Sequence, residues 1–187
     1  VAEAMMRRAE DEKEPRLRNM AQQLHSFTRH GIYRKYFDGP NSLDYKNNLV
    51  VLELDHLKGK KHLQQVVLLQ LIAQLNNEFY LGDRRVPKIL LVDEAWEAFE
   101  DPMVAKFLEG AFRRMRKAAA APVVVTQSLR DLYNSASGEA IANNAANVIV
   151  LRQNGEAIEA LKESGRFNIG DYGYEMLKSL HTEPGQY

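Results

Sequence analysis

Apolar positions change their spacing along the chain. After residue 47, short runs of Val, Leu and Ile alternate with longer segments in which apolar residues recur every three or four positions. The first pattern is typical of strands buried on both faces, and the second of amphipathic helices. We predict strands at 48–54, 88–93, 122–127 and 147–153, helices at 61–82, 101–117, 138–146 and 155–164, and then a glycine- and tyrosine-rich tail. This alternation indicates an α/β fold whose mainly parallel sheet is covered by helices on both faces.

The first 37 residues have a helical pattern. Pro15 marks a helix start, and the apolar residues after it have helical spacing. These residues are Leu17, Met20, Ala21, Leu24 and Phe27. A turn cluster at 37–42 separates this lead-in from the alternating part of the chain. We therefore expect a helical segment at 1–47 and an α/β core at 48–187.

Composition excludes several classes of protein. The 187 residues are 45% hydrophobic, which is ordinary for one globular domain, and their formal net charge is zero. Charge alone therefore gives no case for binding nucleic acid. Cysteine is absent, which excludes disulfides and thiolate metal sites, and no apolar run approaches the ~20 residues of a transmembrane helix. Because the chain begins at Val1, we expect it to be a piece of a longer protein.

The segment "KILLVDEAW" at 88–96 contains the strongest chemical signal. A strand that is apolar from Ile89 to Val92 ends in two adjacent carboxylates, Asp93 and Glu94. Like charges at the end of a buried strand require a counter-charge, which a divalent cation supplies. The pattern is that of a Walker B motif, in which the Asp holds Mg²⁺ and the Glu orients and deprotonates the attacking water. The alternative is that both residues only cap the following helix. Trp96 is most simply a packing residue.

A polar residue also follows the next predicted strand. In "VVVTQ" the strand ends at Thr126 and Gln127. Ligands of parallel sheets bind beyond the carboxyl ends of the strands, so Gln127 is placed where a neighbouring strand would carry a γ-phosphate sensor. Its neutral amide could hydrogen-bond both phosphate and the lytic water. The alternative is an ordinary turn residue at a strand end.

The 101–117 helix carries basic residues around an apolar stripe. The stripe consists of Val104, Phe107, Leu108, Ala111, Phe112 and Met115, and "RRMRK" at 113–117 crowds four basic residues into the last turns. A solvated face explains most of these charges. On a helical wheel Arg114 and Arg116 fall beside the stripe, where a side chain can reach a neighbouring subunit. Arg116 is the first candidate, and Arg114 the second, for an arginine supplied in trans to the transferring phosphoryl group.

The phosphate-binding loop of P-loop ATPases, G-x-x-x-x-G-K-[ST], does not occur in the sequence. Gly59 and Lys60 have neither a preceding glycine at the required spacing nor a following Ser or Thr. Either the Walker A loop lies upstream of Val1, or the Walker B interpretation is wrong. The isolated chain is therefore expected to be inactive.

Taken together, these motifs resemble the C-terminal motor half of TraC/VirB-type ATPases, which power conjugative type IV secretion systems. "DEAW", "TQS" followed by "DLY", and "ANNAAN" occur in the family's order, and the similarity covers about residues 25–187, including "GDYGYEMLKSLHTEPGQY". The Walker A loop of this family precedes the region present here. One departure is "AAAA" at 118–121, where the family usually has a glycine-containing turn.

The resemblance implies a RecA-like P-loop NTPase core that binds ATP and Mg²⁺ and assembles into a homo-hexamer. It implies a cytoplasmic location, peripheral at the inner membrane, with other inner-membrane secretion components and a coupling protein as partners. The motor would energise pilus assembly and the transfer of DNA or protein substrates. Asp93 and Glu94 match the family's Walker B pair, Gln127 its sensor, and Arg116–Lys117 an arginine-lysine pair also found in HerA/FtsK translocases. A HerA/FtsK-like DNA translocase and a non-catalytic docking module remain as alternatives.

Overall fold

The computed structural model describes residues 2–40, 47–57 and 59–181 of the chain. Two compact units cover residues 1–66 and 67–187. The division into segments 1–47 and 48–187 that the sequence suggests stays a prediction. Part of the turn cluster at 37–42 and the "TEPGQY" end of the chain lie outside the described residues.

The first unit begins with the expected helices. They are α1 (Ala2–Asp11), α2 (Pro15–His25) and the short α3 (Arg34–Phe37). Pro15 occupies the first turn of α2, where a backbone N–H would have no partner within the helix, so its missing N–H costs no hydrogen bond. The Glu14 carboxylate accepts a hydrogen bond from the backbone N–H of Arg16. Helices α1 and α2 pack together. Ala9 and Ala21 are buried in them.

Two of the four predicted strands are not formed. Residues 48–54 and 147–153 have no strand structure, and Leu49, Val51 and Ile149 are among their exposed side chains. Both predictions were therefore wrong. Their composition indicates a tendency to be buried, but a strand also needs a neighbour with which to form a hydrogen-bonded ladder. Neither run has one among the described residues.

The second unit contains the sheet and most of the helices. Helix α4 (Lys61–Asn76) begins in the first unit and ends in the second. The elements that follow are, in chain order, a π turn (Asn77–Leu81), β1 (Lys88–Val92), α5 (Ala95–Glu100), α6 (Pro102–Arg114), a 3₁₀ turn (Met115–Ala118), β2 (Ala120–Val124), α7 (Leu129–Tyr133), α8 (Ala136–Asn144), α9 (Gly155–Ser164) and α10 (Gly170–Ser179). The predicted helices at 61–82, 101–117, 138–146 and 155–164 are confirmed within a few residues at their ends.

Strands β1 and β2 pair in parallel, as the predicted helical crossover between them indicates. The register runs from Lys88 opposite Ala120 to Val92 opposite Val124. Beyond β2 the ladder continues, because the Val125 N–H donates to the Val92 carbonyl over 2.9 Å. This pairing brings the carboxyl ends of the two strands to one edge of the sheet.

Helix α6 and the turn after it cover one face of the sheet. Ala111 and Met115 are fully buried there with Phe79 and Ala120, and Leu90 and Phe107 pack against them. The stripe that the sequence predicted is therefore the one that packs. Asp101 begins α6 by accepting hydrogen bonds from the backbone N–H groups of Met103 and Val104.

The opposite face of the sheet is not covered within the described residues. Ile89 is 71% exposed, Leu91 is 60% exposed, and Val123 beside them in register is also exposed. Helices on both faces of the sheet therefore stay a prediction. A run of consecutive apolar residues indicates that both faces can be buried, but it does not say which segment covers them.

The tail of the chain contains a helix that was not predicted from the residue pattern. Helix α10 buries Tyr174. Lys162 pairs with Asp171 over 2.7 Å, and Lys178 pairs with Glu159 over 2.5 Å, so two ion pairs join α10 to α9. Gly170 and Gly173 lower the helix propensity of this segment, and the burial of Tyr174 and the ion pairs with α9 favour the helix.

Candidate active site

Three predicted residues meet at the carboxyl edge of the sheet. Asp93 and Glu94 follow β1 directly, and Gln127 lies three residues beyond β2. The Ala95 N–H donates to the Val125 carbonyl over 3.0 Å, which closes the gap between the two chain segments just past the strands. The strand pairing therefore places Glu94 and Gln127 side by side.

Glu94 has an unusual backbone conformation. Its φ of 50° and ψ of 43° lie in the left-handed region, which costs a residue with a side chain about 1–2 kcal/mol. The residue forms the turn between β1 and α5, and the next residue, Ala95, is fully buried. Strained backbone of this kind often occurs at functional sites. It turns the chain sharply enough to leave the Glu94 side chain exposed at the end of the strand.

Both oxygens of the Glu94 carboxylate accept hydrogen bonds. Gln127 Nε2 donates to Oε1 over 2.8 Å, and Trp96 Nε1 donates to Oε2 over 2.6 Å. The first bond joins the residues that were predicted as water activator and sensor. The second comes from a residue to which the sequence assigned only packing.

The structure corrects the electrostatic argument for the carboxylate pair. Asp93 and Glu94 are both exposed, so burial does not create the need for a counter-charge that the sequence suggested. Asp93 Oδ1 accepts from the Glu94 backbone N–H over 2.9 Å, and no ion pair involves Asp93 in the described part of the chain. Its other oxygen is therefore available to a ligand.

The donor set at this edge fits Mg²⁺ in one particular way. No group of three or more acidic or histidine side chains that could hold a metal occurs among the described residues. Mg²⁺ in nucleotide sites, however, uses one or two carboxylates together with waters and phosphate oxygens. Asp93 matches that requirement, and a bound nucleotide would have to supply the phosphates.

A capped helix holds the segment after Gln127. The Ser128 hydroxyl accepts from the Arg130 N–H, and the Asp131 carboxylate accepts from the Ser128 N–H, forming a capping box at the start of α7. The Thr126 hydroxyl donates to the Ser128 carbonyl over 2.7 Å. Bonds on both sides of Gln127 therefore fix its backbone while its side chain is exposed.

Arg116 does not join these residues. It lies in the 3₁₀ turn before β2, and the Lys88 N–H donates to the carbonyl of Ala119 at the end of that turn. The turn is therefore at the amino edge of the sheet. Five strand residues, about 16 Å of extended chain, separate it from the carboxyl edge. Arg116 cannot reach the Glu94 of its own chain.

The other arginines of the basic cluster have partners. Arg113 pairs with Glu109 over 2.8 Å, while Arg114 donates to the Gly110 carbonyl and lies 5.8 Å from the Tyr80 ring centre. Arg116 is exposed. The helical wheel does not describe Arg116, because α6 ends at Arg114 and the chain continues as a 3₁₀ turn. The choice of Arg116 over Arg114 stays a prediction.

The family follows from comparison with known proteins. Residues 2–163 match the model of the TraG P-loop domain, which is most of the chain. The chain belongs to the TraG P-loop domain family. P-loop domains bind nucleotides through their phosphates, and membership confirms the family resemblance and the α/β fold class predicted from the sequence.

Two relatives of this TraG P-loop domain extend the comparison. It is 30% identical to Protein TraC of Escherichia coli (strain K12) over 159 residues, which cover 82% of this chain and 18% of TraC. The structure is similar to that of VirB4 of Thermoanaerobacter pseudethanolicus, with a TM-score of 0.66 and 19% identity over 96% of this chain and 48% of VirB4. The chain therefore spans less than half the length of either relative.

The similarity to VirB4 confirms the fold of this TraG P-loop domain. Its two-stranded parallel sheet belongs to a P-loop α/β architecture. In the part of the chain that the structure describes, none of the helices combines the length and apolar character required to cross a membrane.

Proposed function

We propose that the chain forms the Walker B and sensor part of an ATP-hydrolysing motor of a conjugative type IV secretion system. The observation that carries this proposal is the hydrogen bond from Gln127 to Glu94 at the carboxyl edge of the sheet. Two strand ends, 33 residues apart in sequence, bring a carboxylate and an amide together at the carboxyl edge of the sheet. Ligands of parallel sheets bind at this edge, which supports a role in cleaving the terminal phosphate. Similarity to TraC and VirB4 supports the secretion system as the setting.

Each residue then has a separate task. Asp93 would hold Mg²⁺ through its free carboxylate oxygen, and the ion would supply charge neutralisation to the β- and γ-phosphates of ATP. Glu94 orients a water molecule and accepts its proton. Gln127 hydrogen-bonds the water or the γ-phosphate without adding charge. Arg116 of a neighbouring subunit stabilises the charge that develops on the transferring phosphoryl group.

The phosphate cradle is the part that this sequence does not contain, because no Walker A pattern occurs in it. The motor proposed here is a homo-hexamer, peripheral at the cytoplasmic face of the inner membrane. Its partners would be the other inner-membrane components and the coupling protein, and its work would be pilus assembly and the movement of DNA or protein.

The test is phosphate release by the complete gene product that contains this chain. Glu94→Gln keeps the size of the side chain and removes the base, so we expect a loss of about 10²- to 10⁴-fold in kcat. Glu100→Gln is the matched control, since it removes an exposed carboxylate from the end of α5 and should leave the rate unchanged. Undiminished release by Glu94→Gln would contradict the proposed role.

A further inference from the structure

We propose that Trp96 is a positioning residue for Glu94. Its indole N–H fixes the carboxylate in the orientation from which Glu94 accepts a proton from water. This inference rests on the proposed function, because the orientation matters to the rate only if Glu94 activates water. It assigns a task to the one tryptophan of the chain.

The geometry shows how the carboxylate is held. Trp96 binds one oxygen over 2.6 Å and Gln127 binds the other over 2.8 Å, so both the position and the rotation of the carboxylate plane are fixed. A carboxylate offers about four lone-pair positions, so accepting these two hydrogen bonds does not by itself prevent Glu94 from acting as a base.

The two donors differ in what else they can do. An indole N–H only donates, so Trp96 can neither take the proton nor compete with Glu94 for it. The Gln127 amide can both donate and accept, and its proposed task is to contact the water or the phosphate. When Gln127 turns to that task, the bond from Trp96 remains to orient Glu94.

The surroundings of Trp96 favour this role over packing alone. The side chain is 38% exposed, whereas the neighbouring Ala95 is fully buried. The ring lies in the first turn of α5, immediately after the left-handed turn at Glu94. A tryptophan that only packed in the core would be buried. Its N–H would also have no need to donate to a carboxylate over a distance as short as 2.6 Å. Short hydrogen bonds to ionised groups are among the strong ones.

Fluorescence of the chain tests the contact directly, because Trp96 is its only tryptophan. Replacing Glu94 by Ala removes the acceptor, so we expect a shifted emission maximum and a larger acrylamide quenching constant. Glu163→Ala, which removes an exposed carboxylate from α9, is the control and should match the unsubstituted chain. Equal emission and quenching in the Glu94→Ala and unsubstituted chains would overturn the proposal. This test does not depend on any substitution of Trp96.

Kinetics of the complete gene product test the consequence. Trp96→Phe keeps an aromatic ring and removes the hydrogen-bond donor. We expect kcat to fall about tenfold with KM unchanged, because one hydrogen bond to a charged group is lost. Tyr172→Phe removes a hydrogen-bond donor from an exposed aromatic side chain elsewhere and should change neither constant. An unchanged kcat for Trp96→Phe beside an inactive Glu94→Gln would overturn the role of Trp96 alone. Full activity of Glu94→Gln would overturn the proposed function instead, whatever the fluorescence shows.

Discussion

Gln127 and Glu94 are hydrogen-bonded side chain to side chain over 2.8 Å, although 33 residues separate them. The segment between them, from α5 through β2, returns the chain to the carboxyl end of β1, where Glu94 lies. The contact therefore depends on the sheet register, which sets where the chain leaves β2 relative to Glu94.

Replacing Gln127 by Ala should slow phosphate release by the complete gene product. The substitution removes the amide that donates to Glu94 and that would contact the phosphate. We expect a loss of about tenfold to a hundredfold in kcat, the effect of one or two hydrogen bonds to charged groups.

The chain offers a matched control for that substitution. Gln74 donates to Glu78 over 3.0 Å on an exposed helical surface, so Gln74→Ala removes the same kind of bond away from the site. Its kcat should equal that of the unsubstituted protein. A similar decrease for both variants would show that the Gln127 effect is not specific to the site.

Arg116→Ala should reduce phosphate release about 10³-fold or more if the arginine acts on a neighbour's nucleotide. Mixing this variant with Glu94→Gln should restore part of the rate, because some sites then combine an intact Glu94 with an intact Arg116 from the next subunit. Activity is measured across a range of mixing ratios. Arg113→Ala, which breaks only the pair with Glu109, serves as the control. Absence of recovery at every ratio would show that Arg116 does not act between subunits.

Ala119→Gly should stabilise the chain. Ala119 ends the turn after α6 with φ of 53°, a left-handed conformation that glycine adopts without steric cost. Relief of about 1–2 kcal/mol of strain, reduced by the greater freedom of glycine in the unfolded chain, leaves a gain of about 0.5–1 kcal/mol.

Urea unfolding measures the gain in the free energy of unfolding. A substitution of the preceding residue, Ala118, is the control. Ala118 is buried and lacks a positive φ, so Ala118→Gly should instead lower the free energy of unfolding by about 1 kcal/mol. Equal effects of the two substitutions would show that the left-handed conformation at Ala119 has no energetic importance.

Acid should loosen α10 from α9. Hydrogen bonds and charge from Lys178 lower the pKa of Glu159, and the same effects from Lys162 lower the pKa of Asp171. A carboxyl group with a lowered pKa in the folded state stabilises it fully above the unfolded pKa and loses this effect as pH falls through the folded value. We therefore expect the amide resonances of Gly170–Ser179 to change below about pH 4.

Lys178→Gln separates this ion-pair effect from general acid unfolding. The variant removes the partner of Glu159 and should show loosened α10 resonances already at neutral pH, with α6 unchanged. Resonances of α10 that stay constant down to pH 3 would contradict the role of the ion pairs.

The catalytic roles of Asp93, Glu94 and Gln127 stay predictions. The sequence was sufficient to place these residues at one edge of the sheet, because the carboxyl ends of parallel strands meet there. It was not sufficient for the details that depend on torsion angles. Neither the left-handed backbone of Glu94 nor the bond from Trp96 follows from residue spacing, since both depend on how the turn after β1 closes.

The strand predictions failed for a different reason. The runs at 48–54 and 147–153 are as apolar as β1, but apolar composition does not specify a pairing partner. Helix predictions were more accurate because each helix makes its own hydrogen bonds. Helix α10 is the exception, because its contacts with α9, including two ion pairs, lie outside its own sequence.

Arg116 lies at the amino edge of the sheet and Glu94 at the carboxyl edge. If each subunit gives an arginine from one edge and receives one at the other, the contact joins two different surfaces. Such heterologous contacts repeat in one direction and produce a closed ring or an open helix, according to the rotation between subunits. The number of complete active sites then equals the number of interfaces in either assembly, and an open assembly has one further site, at its end, that receives no arginine.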